Sequence, residues 1–170
     1  MTATQLLMAY QFPACAEQMG SVRLKLREVL KQCCGSEAVV NNVVLAVGEA
    51  CMNIIQHAYG PQDRGDIVLE VELETEQEPG LKTEPRKALE GAPGSETADR
   101  SQRHLVFRLT DFAKHKTCAG EMRSRPLDEI RPGGLGCHII NQVMDEVVLL
   151  DHPGNAGNVL QMRKRLGGQG

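Results

Sequence analysis

The stretch from Glu37 to His57 constrains the fold more than any other. Val40, Val43, Val44, Val47, Cys51, Ile54 and Ala58 recur at the spacing of a helix with one apolar face. Glu49, Asn53 and His57 stand four residues apart on the opposite side. Each step of four turns a helix only ~40°, so acid, amide and imidazole line one face. Ser36 suits the N-cap, and Gly60-Pro61 stops the helix. Such a helix buries one side and holds its other side toward something polar. A carboxylate and a neutral amide at this spacing suit a divalent cation and an activated hydroxyl or water.

The flanking segments give the layers. Leu6 to Tyr10 reads as a short strand with a turn at Phe12-Pro13. From Ala14 to Cys34, Met19, Val22, Leu26, Val29, Leu30 and Cys33 recur at helical spacing, and Gly35 ends that helix. Asp66 to Glu74 alternates, with Ile67, Leu69, Val71 and Leu73 opposite Glu70, Glu72 and Glu74. Arg103 to Thr110 repeats the pattern through Leu105, Phe107 and Leu109. The segment between, Glu76 to Gln102, is rich in Glu, Lys, Pro, Gly and Ser and cannot bury enough apolar surface to offset its ordering entropy. It reads as a flexible excursion between two adjacent antiparallel strands, either a plain solvated loop or a regulatory or partner-binding insertion. Asp111 to Pro132 is a second irregular stretch, a lid with Lys114, Lys116, Arg123, Arg125 and Arg131. Gly133-Gly134-Leu135-Gly136 then opens a helix from Cys137 to Met144, and strands follow at Glu146–Leu150 and Val159–Arg165. The order predicts an α+β fold, a two-layer sandwich whose mostly antiparallel mixed sheet carries its helices on one face. The 170 residues suit a single domain spanning 1–170, with the insertion at 76–102.

Composition removes several function classes. A net charge of -3 gives no electrostatic case for nucleic acid, and the absence of tryptophan leaves little for base stacking or sugar platforms. The six cysteines form no Cys-x-x-Cys pair and no zinc-ligand spacing, which suits reduced, mostly structural thiols in a cytoplasmic protein. Met1 to Tyr10 has neither a basic region nor a long apolar run, and no segment is expected to reach membrane-spanning length. Neither a membrane nor a nucleic acid is an expected partner.

Two further segments bear on chemistry. Glycines let backbone N–H groups approach phosphate oxygens, and a following helix N-terminus adds positive potential. Alone, the Gly133–Gly136 turn serves equally well to pack a helix on a sheet. Asp111, where an inward-facing strand ends, fits either a loop cap or a buried carboxylate that accepts a hydrogen bond from an exocyclic amine.

Together these segments are more specific, because their order and spacing resemble the ATP-binding fold shared by gyrase, histidine kinases and MutL, the Bergerat or histidine-kinase-like ATPase fold. Within it the chain most resembles the bacterial anti-sigma factor serine/threonine-protein kinases. The family's first box, Glu-x-x-x-Asn followed by His and Tyr, is here Glu49, Asn53, His57 and Tyr59. Its aspartate box begins at Asp111, and its Gly-Gly-Leu-Gly box, Gly133 to Gly136, leads to Met144-Asp145-Glu146-Val147. The resemblance runs from Phe12-Pro13 to Lys164, apart from the 76–102 excursion. It implies ATP and Mg²⁺. Asn53 would coordinate the metal, and Glu49 would act as base on the attacking hydroxyl or orient it. Asp111 would read the adenine amine, and the backbone of Gly133, Gly134, Leu135 and Gly136 would cradle phosphates. His57 would join the nucleotide site or serve as a structural histidine at the helix end. The implied substrate is a serine on a STAS-type anti-anti-sigma protein, with a sigma factor as second partner and pairing into a homodimer.

The chain departs from the family in two places. The aspartate box continues Asp111-Phe112-Ala113-Lys114, with Ala113 where the family has glycine and no glycine before Gly120. A methyl group there would crowd the adenine, and at positive φ it would cost about 1 kcal/mol or more. The last strand carries Gly157-Asn158 where related kinases often have Gly-Thr. These departures keep a second reading open, a non-catalytic switch protein with weakened nucleotide binding. A detached histidine-kinase catalytic domain is disfavoured by the small size and the lack of a phosphohistidine-dimerisation segment.

Overall fold

The computed structural model describes residues 2–59, 64–76, 102–113, 134–151 and 157–167. Its elements follow the predicted order: β1 (Thr2–Pro13), α1 (Met19–Cys33), α2 (Glu37–His57), β2 (Asp66–Glu76), β3 (Gln102–Asp111), α3 (Gly134–Val143), β4 (Glu146–Asp151) and β5 (Asn158–Leu166). The strands form one sheet in the order β1-β2-β3-β5-β4. All four pairings are antiparallel, so among the described strands the sheet contains no parallel pair.

The alternation in β2 and β3 sets the two sides of the sheet. Ile67, Leu69, Val71, Leu105, Phe107 and Leu109 are buried in the core beneath the helices. The opposite face is tied by ion pairs. Arg108 Nη1 donates to Glu72 Oε2 at 2.6 Å and Arg163 Nη2 to Glu74 Oε2 at 2.5 Å. These side chains remain part-exposed, so their net contribution is small and screened by salt. Glu76 pairs directly with Gln102, so β2 and β3 are adjacent antiparallel strands as expected. The excursion between them lies outside the described residues, as do the basic lid and Gly60-Pro61.

Two boundaries near the N-terminus differ from expectation. β1 is longer than Leu6–Tyr10, because backbone pairing with β2 recruits the polar Thr2 to Gln5, which have no alternation to reveal them. Phe12 is not in a turn; it pairs with Ile67 and is fully buried. A single 3-10 turn, Ala16–Gln18, precedes α1, which therefore starts later than Ala14.

Helix α2 follows its predicted span. Ser36 Oγ accepts from Val39 N–H at 3.5 Å, a long N-cap contact. All seven predicted apolar residues are buried, and α2 packs against α1 and α3. At 21 residues it is also long and apolar enough to cross a membrane by length and composition, which corrects the expectation that no segment would be. Its apolar face is occupied by the protein's own core, and its other side carries Glu49, Asn53 and His57.

Candidate functional site

The polar face of α2 meets the start of α3. Gly136 is the contact point: a Cβ built there would stand 2.8 Å from Glu49 Oε2 and 3.7 Å from Asn53 Oδ1. Glycine at 136 lets the Glu49 carboxylate pack against the backbone of α3, with Asn53 Oδ1 on the same side. Glu49 and Asn53 are both half-buried, held by the packed helix yet not sealed in it. Asn53 Nδ2 donates to Cys137 Sγ at 3.7 Å, which ties the amide to the next residue of α3. His57, the last residue of α2, is exposed.

Of the predicted glycine box, Gly134, Leu135 and Gly136 form the first turn of α3, and Leu135 is 60% exposed. Gly133 lies outside the described residues. The first-turn amides of a helix have no intrahelical partners, so this end of α3 presents N–H groups beside Glu49 and Asn53.

Asp111 forms a second cluster at the end of β3. It is 1% exposed and pairs across the sheet with Asn158, itself 6% exposed. Asn158 Nδ2 donates to both carboxylate oxygens, at 3.1 and 3.3 Å, and Ala113 N–H donates to Oδ1 at 3.1 Å. A buried carboxylate needs such donors. The two departures from the family pattern therefore both engage the same aspartate. The Ala113 methyl is accommodated in the hydrophobic core. Gly157 is needed beside it. Its φ is +103°, and a Cβ there would fall 2.0 Å from the Asp111 carbonyl oxygen.

Tyr59 joins the two clusters. Its hydroxyl donates to the Asp66 carbonyl at 2.7 Å and accepts from Phe112 N–H at 2.9 Å. The end of α2 is thereby fixed to the residue after Asp111. Burial pushes the Tyr59 phenol above its ordinary value, which keeps it a neutral donor. A cleft of about 770 Å³ opens beside Tyr59, lined by Gln11, Ile55, Arg64, Asp66 and Phe112 among others. It borders the Asp111 end but includes neither Glu49 nor Asn53.

The donor set fits magnesium in the form it takes with nucleotides. Mg²⁺ usually binds through one or two protein oxygens plus phosphates and waters, not in an all-protein cage. Asn53 Oδ1 would offer one such protein oxygen, with Glu49 beside it, and no group of three or more His, Cys, Asp or Glu gathers among the described residues. The residues to which sequence reasoning gave no role in the site are Asn158, known there only as a departure, Cys137, read as a structural thiol, and Tyr59, noted only as part of the family's first box.

The model of the histidine kinase-like ATPase domain matches residues 12–164. Among curated proteins, the chain is similar to serine-protein kinase RsbW of Bacillus velezensis, with 26% identity over 94% of this chain and 85% of that protein. The Bacillus subtilis protein of the same name is 26% identical over 92% of the chain and 84% of its own length. The one from Bacillus pumilus is 28% identical over 98% and 90%.

Proposed function

The chain belongs to the histidine kinase-like ATPase domain family, and from that premise we propose that it is an ATP-dependent protein serine kinase of the anti-sigma-factor type. Its substrate in this reading is a serine on a STAS-type anti-anti-sigma protein, within a circuit where the kinase exchanges that partner for a sigma factor. The observation that carries the reading is that Glu49 Oε2 and Asn53 Oδ1 both approach the start of α3 at Gly136. The printed names of the relatives, serine-protein kinases, support the same reaction class.

In this reading the roles are those that the family resemblance implies. Asn53 Oδ1 is the magnesium ligand, and when bound the ion neutralises charge on the phosphates. Glu49 accepts the proton of the attacking serine hydroxyl. The serine oxygen forms a bond to the γ-phosphorus as the bond to the β–γ bridging oxygen breaks, and ADP leaves. The first-turn amides of α3 at Gly134, Leu135 and Gly136, with Gly133 before them, receive phosphate oxygens. Asp111, held by Asn158 and Ala113 N–H, accepts from the exocyclic amine of adenine, which favours ATP over GTP. His57, the exposed last residue of α2, joins the nucleotide site in this reading or serves as a structural histidine at the helix end. We read residues 1–170 as one ATP-binding domain that works in the cytoplasm and pairs with a second copy.

A specific observation favours the second reading, a switch protein with weak nucleotide binding. The Asp111 carboxylate is already engaged by two donors from its own chain, and Ala113 replaces the expected glycine. Incubation with a purified STAS-type partner and γ-labelled ATP tests the kinase reading. Label on a partner serine, lost when that serine is replaced by alanine, supports the kinase. Tight partner binding without label supports the switch.

A further inference from the structure

Asn53 can serve a cation only through its oxygen, yet a side-chain amide can turn about χ2 and present its nitrogen instead. The two ends of this amide are sorted by their surroundings. Nδ2 donates to Cys137 Sγ at 3.7 Å, while Oδ1 lies on the side of Gly136, 3.7 Å from the place a Cβ would take. Cys137 is 7% exposed and sits in α3 immediately after Gly136, so its sulfur is a fixed point on a packed helix.

We propose that Cys137 is a positioning residue for the divalent cation that accompanies the nucleotide: its sulfur holds the Asn53 amide nitrogen, so that Oδ1 faces the metal. This rests on the nucleotide reading above. Sulfur is a weak acceptor, but the choice between two amide orientations needs only a small bias. Sulfur is a soft ligand and Mg²⁺ a hard ion, so Cys137 acts on the Asn53 amide and not on the metal. An apolar side chain at 137 would leave Nδ2 without this acceptor and free the amide to turn. A serine hydroxyl would keep one.

The test is the ratio of ATP affinities with Mg²⁺ and with EDTA, measured on the full chain by calorimetry. Wild type, Cys137→Ala, Cys137→Val and Cys137→Ser are compared, with thermal midpoints taken without nucleotide as a folding control. The expected result is a Mg²⁺ gain about tenfold smaller in Cys137→Ala and Cys137→Val, the low end of what lost ligand support costs in metal affinity. Affinity in EDTA should change by less than about twofold, and Cys137→Ser should recover most of the gain. A wild-type gain that Cys137→Ala and Cys137→Val both retain overturns the inference alone. Equal loss in Cys137→Ser and Cys137→Ala also overturns it, because packing and not an acceptor would then be at stake. No Mg²⁺ gain in wild type overturns the nucleotide reading and this inference together. Cys137→Val fills the volume that alanine leaves, so one acceptor-free variant remains informative if the other unfolds.

Discussion

Asn158 donates its side-chain N–H groups to both carboxylate oxygens of Asp111, at 3.1 and 3.3 Å, and both residues are buried. Hydrogen bonds to a charged group contribute about 1.5–3 kcal/mol, and a buried acceptor left short of donors adds its own desolvation cost. Asn158→Leu should therefore lower stability by about 2–3 kcal/mol in urea unfolding and reduce the preference for ATP over GTP. Asn158→Thr keeps one donor and should lose about half as much. A neutral Asn158→Leu would mean that the pair does not hold the carboxylate.

Gly136→Ala separates stability from function. Alanine is the better helix former by about 0.5–1 kcal/mol, and the atom it would strike, Glu49 Oε2, is the end of a flexible side chain. The fold should be unharmed or slightly more stable, with Glu49 pushed aside and Mg²⁺-dependent ATP affinity lowered about tenfold or more. Thermal unfolding and nucleotide titration of the same sample check both halves. Unchanged nucleotide affinity would place the phosphates elsewhere.

Much of this was legible in the residues. The apolar stripe of α2 and the alternation of β2 and β3 encode burial directly, and every apolar residue predicted for those faces is buried. Pairing partners were harder. Asn158 meets Asp111 only because the β3–β5 register sets them opposite each other, 47 residues apart in sequence. Cys137 reaches Asn53 across 84 residues through the packing of α3 on α2, and among Leu135, Ile139 and Ile140 it looked like one more core thiol. β1 was cut short because Thr2 to Gln5 lie on an exposed edge, where the backbone ladder is satisfied without an apolar pattern. The span of α2 was read correctly, but its apolar character was underrated because polar residues such as Asn41, Asn42, Glu49 and Asn53 interrupt a run long and apolar enough for a membrane.

The buried Cys51 thiol should make stability fall in alkali. Burial pushes its pKa from the ordinary 9.0 up to about 12. The folded chain therefore keeps a proton that the unfolded chain gives up, and stability declines as pH rises between these two values. The slope is about 1.4 kcal/mol per pH unit above 9. Urea unfolding at pH 8 and pH 10 should show this decline, and Cys51→Ala should flatten it. An equal slope in Cys51→Ala would assign the effect to other groups.

The direct pairing of Glu76 with Gln102 predicts that the intervening segment is dispensable for folding. Replacing residues 77–101 with Asn-Gly gives the turn that suits a two-residue hairpin. Shorter closure should add on the order of 2 kcal/mol, with one cooperative transition kept in denaturant. Loss of cooperative unfolding would show that the segment packs on the core.

ATP affinity by calorimetry, in Mg²⁺ and in EDTA, on wild type and Asn53→Ala, tests the Glu49–Asn53 pocket most directly. Wild type should bind at least about tenfold more tightly with Mg²⁺, and Asn53→Ala should lose that gain. Wild-type binding indifferent to Mg²⁺, or no binding in either buffer, would contradict it.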